Sequence, residues 1–103
     1  MPQNENSQDI RKNILIKTDG SQSEVSPKDG QRFDLEELQG YVGGYIEIIN
    51  LAANKALVIN EEGKLFDLPL NQKATALAQF CGAIFPSDYI VGDAVVIENH
   101  LLD

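Results

Sequence analysis

The sequence predicts an α+β domain in which two helices lie on one face of a mainly antiparallel sheet of about five strands. Three observations predict it. Strand-type segments come in adjacent pairs joined by turn residues, two segments carry helical spacing behind a capping residue, and the last apolar run continues almost without polar interruption. The order reads ββαββ(β)αβ. At 103 residues the chain has room for one modest core, since a domain of about a hundred residues buries roughly 60–70% of its extended surface. The expected layout is a disordered polar leader at 1–9, one domain at 10–99 and a short tail at 100–103.

The first strand is the run KNILIK at 12–17, followed by Thr18-Asp19-Gly20-Ser21, residues that a tight turn uses. A short strand at 22–26 completes a hairpin, and Pro27 with Lys28-Asp29-Gly30 ends it. A helix then starts at Phe33-Asp34-Leu35-Glu36-Glu37-Leu38. Asp34 accepts from open backbone N–H groups as N-cap, Glu37 three residues on returns the bond, and Phe33 packs on Leu38 as a staple. Leu35, Leu38, Tyr41 and Val42 recur at helical spacing as a core face. Gly43-Gly44 ends the helix, because glycine reaches left-handed dihedrals without a Cβ clash.

Strands at 45–51 and 56–60 come next. In the first, Ile46 and Ile48 face one way while Tyr45, Glu47 and Ile49 face the other. Asn60-Glu61-Glu62-Gly63 is a turn, after which 64–66 pairs back as a short strand. Asn71 caps a second helix at 72–80, with Ala74, Leu77, Ala78 and Cys81 along one apolar stripe and Gly82 as its stop. In the final strand at 94–98, Ala94 and Val96 alternate with Val95 and Ile97. Both sets are apolar, so this strand lies centrally in the sheet.

The formal net charge is −8, and its placement matters more than its size. Up to Phe33 five acids balance five bases, whereas from Asp34 onward eleven acids face only Lys55, Lys64 and Lys73. Nucleic acid is normally met by clustered Lys and Arg, so direct nucleic-acid binding is disfavoured. A solubilising acidic surface, or an acidic face that docks on a basic protein, is the expectation. Cys81 has no second cysteine to pair with, which points to a reducing compartment, and one Cys with one His cannot build a zinc site of the usual nitrogen and sulfur kind. The N-terminus has neither a basic start nor an apolar run, and no stretch is long enough to cross a bilayer. A cytoplasmic protein without metal or cofactor is expected.

Few residue groups point to chemistry. Gly43-Gly44 follows a helix, whereas phosphate loops precede one, so capping explains it. Asn71 and Thr75, at the start of the second helix, are the candidate anion or small-ligand site. Glu36, Glu37, Glu61 and Glu62 are the candidate acidic binding face. Cys81 reads as a small core residue, and Phe85 beside Pro86 as an exposed anchor or the closure of a loop.

Five stretches carry a family resemblance: Leu35-Glu36-Glu37-Leu38-Gln39, Val42-Gly43-Gly44-Tyr45-Ile46-Glu47, Asn60-Glu61-Glu62-Gly63-Lys64, Leu68-Pro69-Leu70-Asn71 with Ala74-Thr75, and Ile90-Val91-Gly92-Asp93. In this order they make the chain resemble the domain-of-unknown-function family 3846 of bacteria, plasmids and phages, over about residues 13–98. The resemblance implies a mobile-element setting and brings no catalytic residue. The resulting expectation is a non-catalytic accessory protein that binds a basic protein, for instance as an inhibitor of a host nucleic-acid-directed defence enzyme. Two alternatives stand beside it. One is a small-molecule binder or enzyme that uses Asn71 and Thr75 with Glu47 or Glu61, and the other is a structural subunit that self-associates through an open sheet edge.

Overall fold

The computed structural model of the chain describes residues 13–102, and the leader predicted at 1–9 lies outside them. Its elements are β1 (Asn13–Ile16), β2 (Gln22–Val25), α1 (Leu35–Val42), β3 (Ile46–Asn50), β4 (Lys55–Asn60), α2 (Gln72–Phe80) and β5 (Ala94–Glu98). The strands form one sheet in the order β2-β1-β5-β4-β3, with every neighbouring pair antiparallel. The last strand therefore enters the middle and joins two hairpins, with Val96 opposite Ile14 on one side and Leu57 on the other.

The two helices lie on opposite faces of this sheet, which corrects the expectation that they share one. Leu15, Ala56, Val58, Val95 and Ile97 pack with Phe33, Leu38 and Val42 on the α1 side. Ile16, Leu57, Ile59, Ala94 and Val96 pack with Ala74, Ala78 and Ile90 on the α2 side. The cause is the composition of β4 and β5, which are buried on both faces from Ala56 to Ile59 and from Ala94 to Ile97. Burying one such side chain is worth roughly 1.5–3 kcal/mol. Leaving Ile16, Leu57, Ile59 and Val96 in water would thus cost on the order of 6–12 kcal/mol, comparable with a whole domain's stability.

Helix α1 starts as its sequence dictates. The Asp34 carboxylate accepts from the Glu37 N–H at 2.8 Å, and the Glu37 carboxylate accepts from the Asp34 N–H at 3.1 Å. Phe33 is fully buried against Leu38, which completes the staple. Leu35, expected on the core face, is instead 55% exposed. It lines a shallow apolar groove of about 240 Å³ with Leu38, Ile46, Ile48 and Leu102.

The short strand expected at 64–66 does not form. Residues 61–67 make consecutive turns, with the Phe66 N–H donating to the Glu62 carbonyl and the Leu68 N–H to the Gly63 carbonyl. Both edges of β4 are already taken, by β3 and β5, so the returning chain has no edge to pair with. Beyond β5, Asn99–Leu101 form a 3₁₀ turn that returns the chain to α1. Leu102 bridges Phe33, and Leu101 and Leu102 pack on the α1-side core. Among the described residues no helix is long and apolar enough to cross a membrane.

Gly92 occupies the left-handed region, with φ +80°, and a Cβ there would lie 2.8 Å from Leu68 Cδ1. Gly30 has a similar φ of +77° but open space around it. Gly92→Ala is therefore expected to cost about 1–3 kcal/mol, and visibly more than Gly30→Ala, which carries backbone strain alone. Denaturant melts of the two variants compare these costs, and equal losses would show that the Leu68 contact is immaterial.

Candidate functional site

The start of α2 is consumed by the fold. Asn71 is fully buried; its Oδ1 accepts from the Ala74 N–H at 3.1 Å, and its Nδ2 donates to the Ile16 and Gly92 carbonyls, both at 2.9 Å. Thr75 Oγ1 accepts from the Ile90 N–H at 2.8 Å and donates to the Ile90 carbonyl at 3.3 Å. Both Nδ2 hydrogens of Asn71 are thus committed to carbonyls of its own chain. At Asn71 and Thr75, where an anion or small-ligand site is expected from the sequence, both side chains instead fasten loop to helix.

The four candidate acids do not share one face. Glu37 is buried and accepts from two backbone N–H groups, those of Asp34 and Lys28, the latter at 2.7 Å. Both of its oxygens are thus engaged by the chain's own backbone, which withdraws Glu37 from the exposed acids. Glu36 is exposed on α1, while Glu61 lies in the turn after β4 and lines a recess on the α2 side. Glu62 is half-buried, its N–H held by Asn60 Oδ1 at 2.8 Å. The Asn60 Nδ2 in turn donates to the Val42 carbonyl at 3.1 Å, so this turn is anchored to the end of α1.

On the α2 side the fold does bring side chains together. A groove of about 710 Å³ runs between β3 and the segment after α2, lined by Glu47, Ile49, Gln79, Ile84, Phe85 and Asp88. It adjoins a recess of about 170 Å³, which adds Ile59, Glu61, Lys64 and Tyr89 and shares Glu47, Ile49 and Asp88 with the groove. Phe85 is 80% exposed, which settles it as an open groove wall. Gln79 Nε2 donates to the Pro86 and Asp88 carbonyls, both at 3.0 Å, and holds this wall in place. Asp88 and Gln79 were missed in the sequence. The signal available was Ile84-Phe85-Pro86-Ser87-Asp88, an aromatic and a proline directly after a helix stop.

Lys64 ties the turn after β4 to the wall formed by the segment after α2. Its ammonium bonds the Asp88 carboxylate and sits 4.3 Å from the centre of the Tyr89 ring. That bond, with the Tyr89 N–H donating to the same carboxylate, holds Asp88 below its ordinary pKa of 3.8. Lys64 is raised in return, first by the Asp88 bond and then by the charge of Asp88. Among the described residues no group of three His, Cys, Asp or Glu side chains could hold a metal ion. Cys81, expected in the core, is half-buried at the α2 C-cap, outside both core clusters. Carboxylates over an apolar and aromatic floor are suited to holding cationic and apolar side chains.

A family model described as Domain of unknown function (DUF3846) matches residues 10–100. No curated protein and no solved structure matches the chain.

Two measurements check this site. Asn71→Ala leaves two buried carbonyls unpaired, at about 1–3 kcal/mol each, and removes a cap worth about 1 kcal/mol. A loss of at least about 3 kcal/mol is expected in denaturant melts, and Asn71→Asp, which keeps the acceptor but no donor, is expected to restore little of it. Near-wild-type stability of Asn71→Ala would contradict the assignment.

For the ion pair, the depressed Asp88 contributes stability above the ordinary carboxylate value and loses it as pH falls through its lowered one. The raised Lys64 contributes below its ordinary value and loses that only as pH rises through its raised one, so both contribute at neutral pH. Both side chains are over a third exposed, so Lys64→Met is expected to cost less than about 1 kcal/mol. In that variant the Asp88 titration, followed by carboxyl NMR, should move up toward 3.8 without reaching it, since the Tyr89 N–H bond remains. An unmoved Asp88 would show that Lys64 is not its main partner.

Proposed function

We propose that this chain, which belongs to the family described as Domain of unknown function (DUF3846), is a non-catalytic accessory protein of a phage or other mobile element that acts by binding a basic protein. One observation carries the reading. The polar side chains at the start of α2 and at Glu37 are spent on the chain's own backbone, while the groove beside β3 leaves Glu47, Glu61, Phe85 and Tyr89 open to solvent. An acidic rim over an apolar and aromatic floor complements a basic, partly apolar protein surface. The nucleic-acid channel of a host defence enzyme is a surface of that chemistry. The net charge of −8, with its excess from Asp34 onward, supports the same choice of partner.

The acidic surface supporting this reading is Glu47 and Glu61 rather than the four acids taken together, since Glu36 stands on α1, on the other side of the sheet. The test is capture from an extract of the organism that encodes the chain, with the retained proteins identified by mass spectrometry. The wild-type chain should retain a basic protein that elutes with rising salt, because exposed charges are screened beyond about 8–10 Å at physiological ionic strength. Glu47→Lys combined with Glu61→Lys should lose that protein while melting as the wild type does. Identical retention by wild type and variant would overturn the reading.

A further inference from the structure

We propose that the outer edge of β3 accepts an extended segment of the partner as a sixth strand, with basic side chains toward the α2 side alternating with apolar side chains toward the α1 side. This rests on the protein-binding reading above and says how the partner is held.

The backbone comes first. Glu61 N–H donates to the Tyr45 carbonyl and Leu51 N–H to the Lys55 carbonyl. With the register Glu47↔Ile59 and Ile49↔Leu57, this makes Tyr45, Glu47, Ile49 and Leu51 the residues bonded to β4. Ile46, Ile48 and Asn50 then turn their N–H and C=O groups away from β4, and β3 is the outermost strand. The opposite edge differs. β2 is only four residues, Gln22-Ser23-Glu24-Val25, short and polar in the way edges are normally blunted. β3 instead carries Ile46, Ile48 and Ile49 with a single charge, and Ile48 is 44% exposed.

The side chains then specify the occupant. On the α1 side the edge is apolar, where Ile46 and Ile48 line the shallow groove with Leu35 and Leu38. On the α2 side Glu47 stands at the groove and Glu61 in the adjoining recess. Successive side chains of an added strand would alternate between these surfaces, and directly opposite pairs lie about 4.5–5.5 Å apart, within reach of Glu47 for a lysine or arginine. A second copy of the chain fits worse, because it would set the same acidic face, on a molecule of net charge −8, beside this one.

The probe is a peptide of about seven residues alternating lysine and valine, long enough to span a five-residue strand of about 17 Å. A peptide of identical composition with its lysines grouped is the control. The alternating peptide should bind more tightly, and it should protect the Ile46, Ile48 and Asn50 amides from hydrogen exchange. Ile48→Pro deletes an outward N–H that β4 does not use, as edge strands tolerate, and should weaken binding at least about tenfold, or about 1.4 kcal/mol. Glu47→Lys leaves the backbone edge intact and should weaken the same peptide while favouring an alternating glutamate–valine one, so the inference remains testable if the proline variant does not fold.

Equal binding of the two lysine peptides, or protection elsewhere, overturns the inference. So does protection of these amides on concentration without peptide, which would make a second copy the occupant. If a captured partner depends on Glu47 and Glu61 but is unaffected by Ile48→Pro, the edge inference alone fails. If no partner depends on those glutamates, the protein-binding reading fails whatever the peptide does.

Discussion

The side-chain amide of Asn71 is the constraint on which the rest of the molecule turns. It joins the end of β1 through the Ile16 carbonyl, the approach to β5 through the Gly92 carbonyl, and the first turn of α2 through the Ala74 N–H. These groups belong to segments far apart in sequence. In a water-free interior each of them needs a partner, because an unpaired buried polar group costs about 1–3 kcal/mol. No apolar residue supplies one acceptor and two donors from a single planar group. Thr75 repeats the arrangement one turn later by closing both polar groups of Ile90, so α2 and the segment before β5 are fastened together at two levels.

That fastening explains why a groove exists at all. The sheet's α2 side needs a cover for Leu57, Ile59 and Val96, yet the side chains α2 buries there are small, Ala74 and Ala78. The cover is completed by Ile84 and Ile90, from the segment between α2 and β5. The same segment stands opposite β3 and leaves a cleft between them, floored by Ile49 and walled by Phe85. A bulkier α2 with a shorter return would have closed the cleft. The cleft is thus a by-product of how the second core is assembled, with Gln79 and Lys64 holding its wall at Pro86 and Asp88.

Much of the local structure was legible in the sequence because its signals are local. Asp34 with Glu37, Asn71, and the uninterrupted Ala94-Val95-Val96-Ile97 run each specify their element within a few residues, and both helices and the central strand form where these place them. The failures are failures of partnership. A carboxylate three residues after an N-cap reads as exposed charge, yet Glu37 is drawn inward because the Lys28 N–H, nine residues earlier, also needs an acceptor. Asn71 reads as a cap, and its two further bonds reach 55 and 21 residues away, where no spacing rule extends. The placement of the helices on separate faces was available in principle. A strand apolar on both faces implies two covers, and the sequence holds two helices.

The charge layout then acquires a physical direction. Acids from Asp34 onward outnumber bases by eleven to three, so the folded domain keeps like charges closer together than an extended chain would. Within the groove Lys64 offsets Asp88, while Glu47 and Glu61 stand exposed on the same side. A cation entering there gains attraction from two carboxylates without having to break the Lys64–Asp88 bond. An anion would meet the opposite field and no cluster of donors. The apolar lining of the groove carries no sign of its own, and this asymmetry gives it one. In the protein-binding reading proposed above, selection rests on field and shape together, at a position where the fold also leaves backbone groups of β3 facing outward.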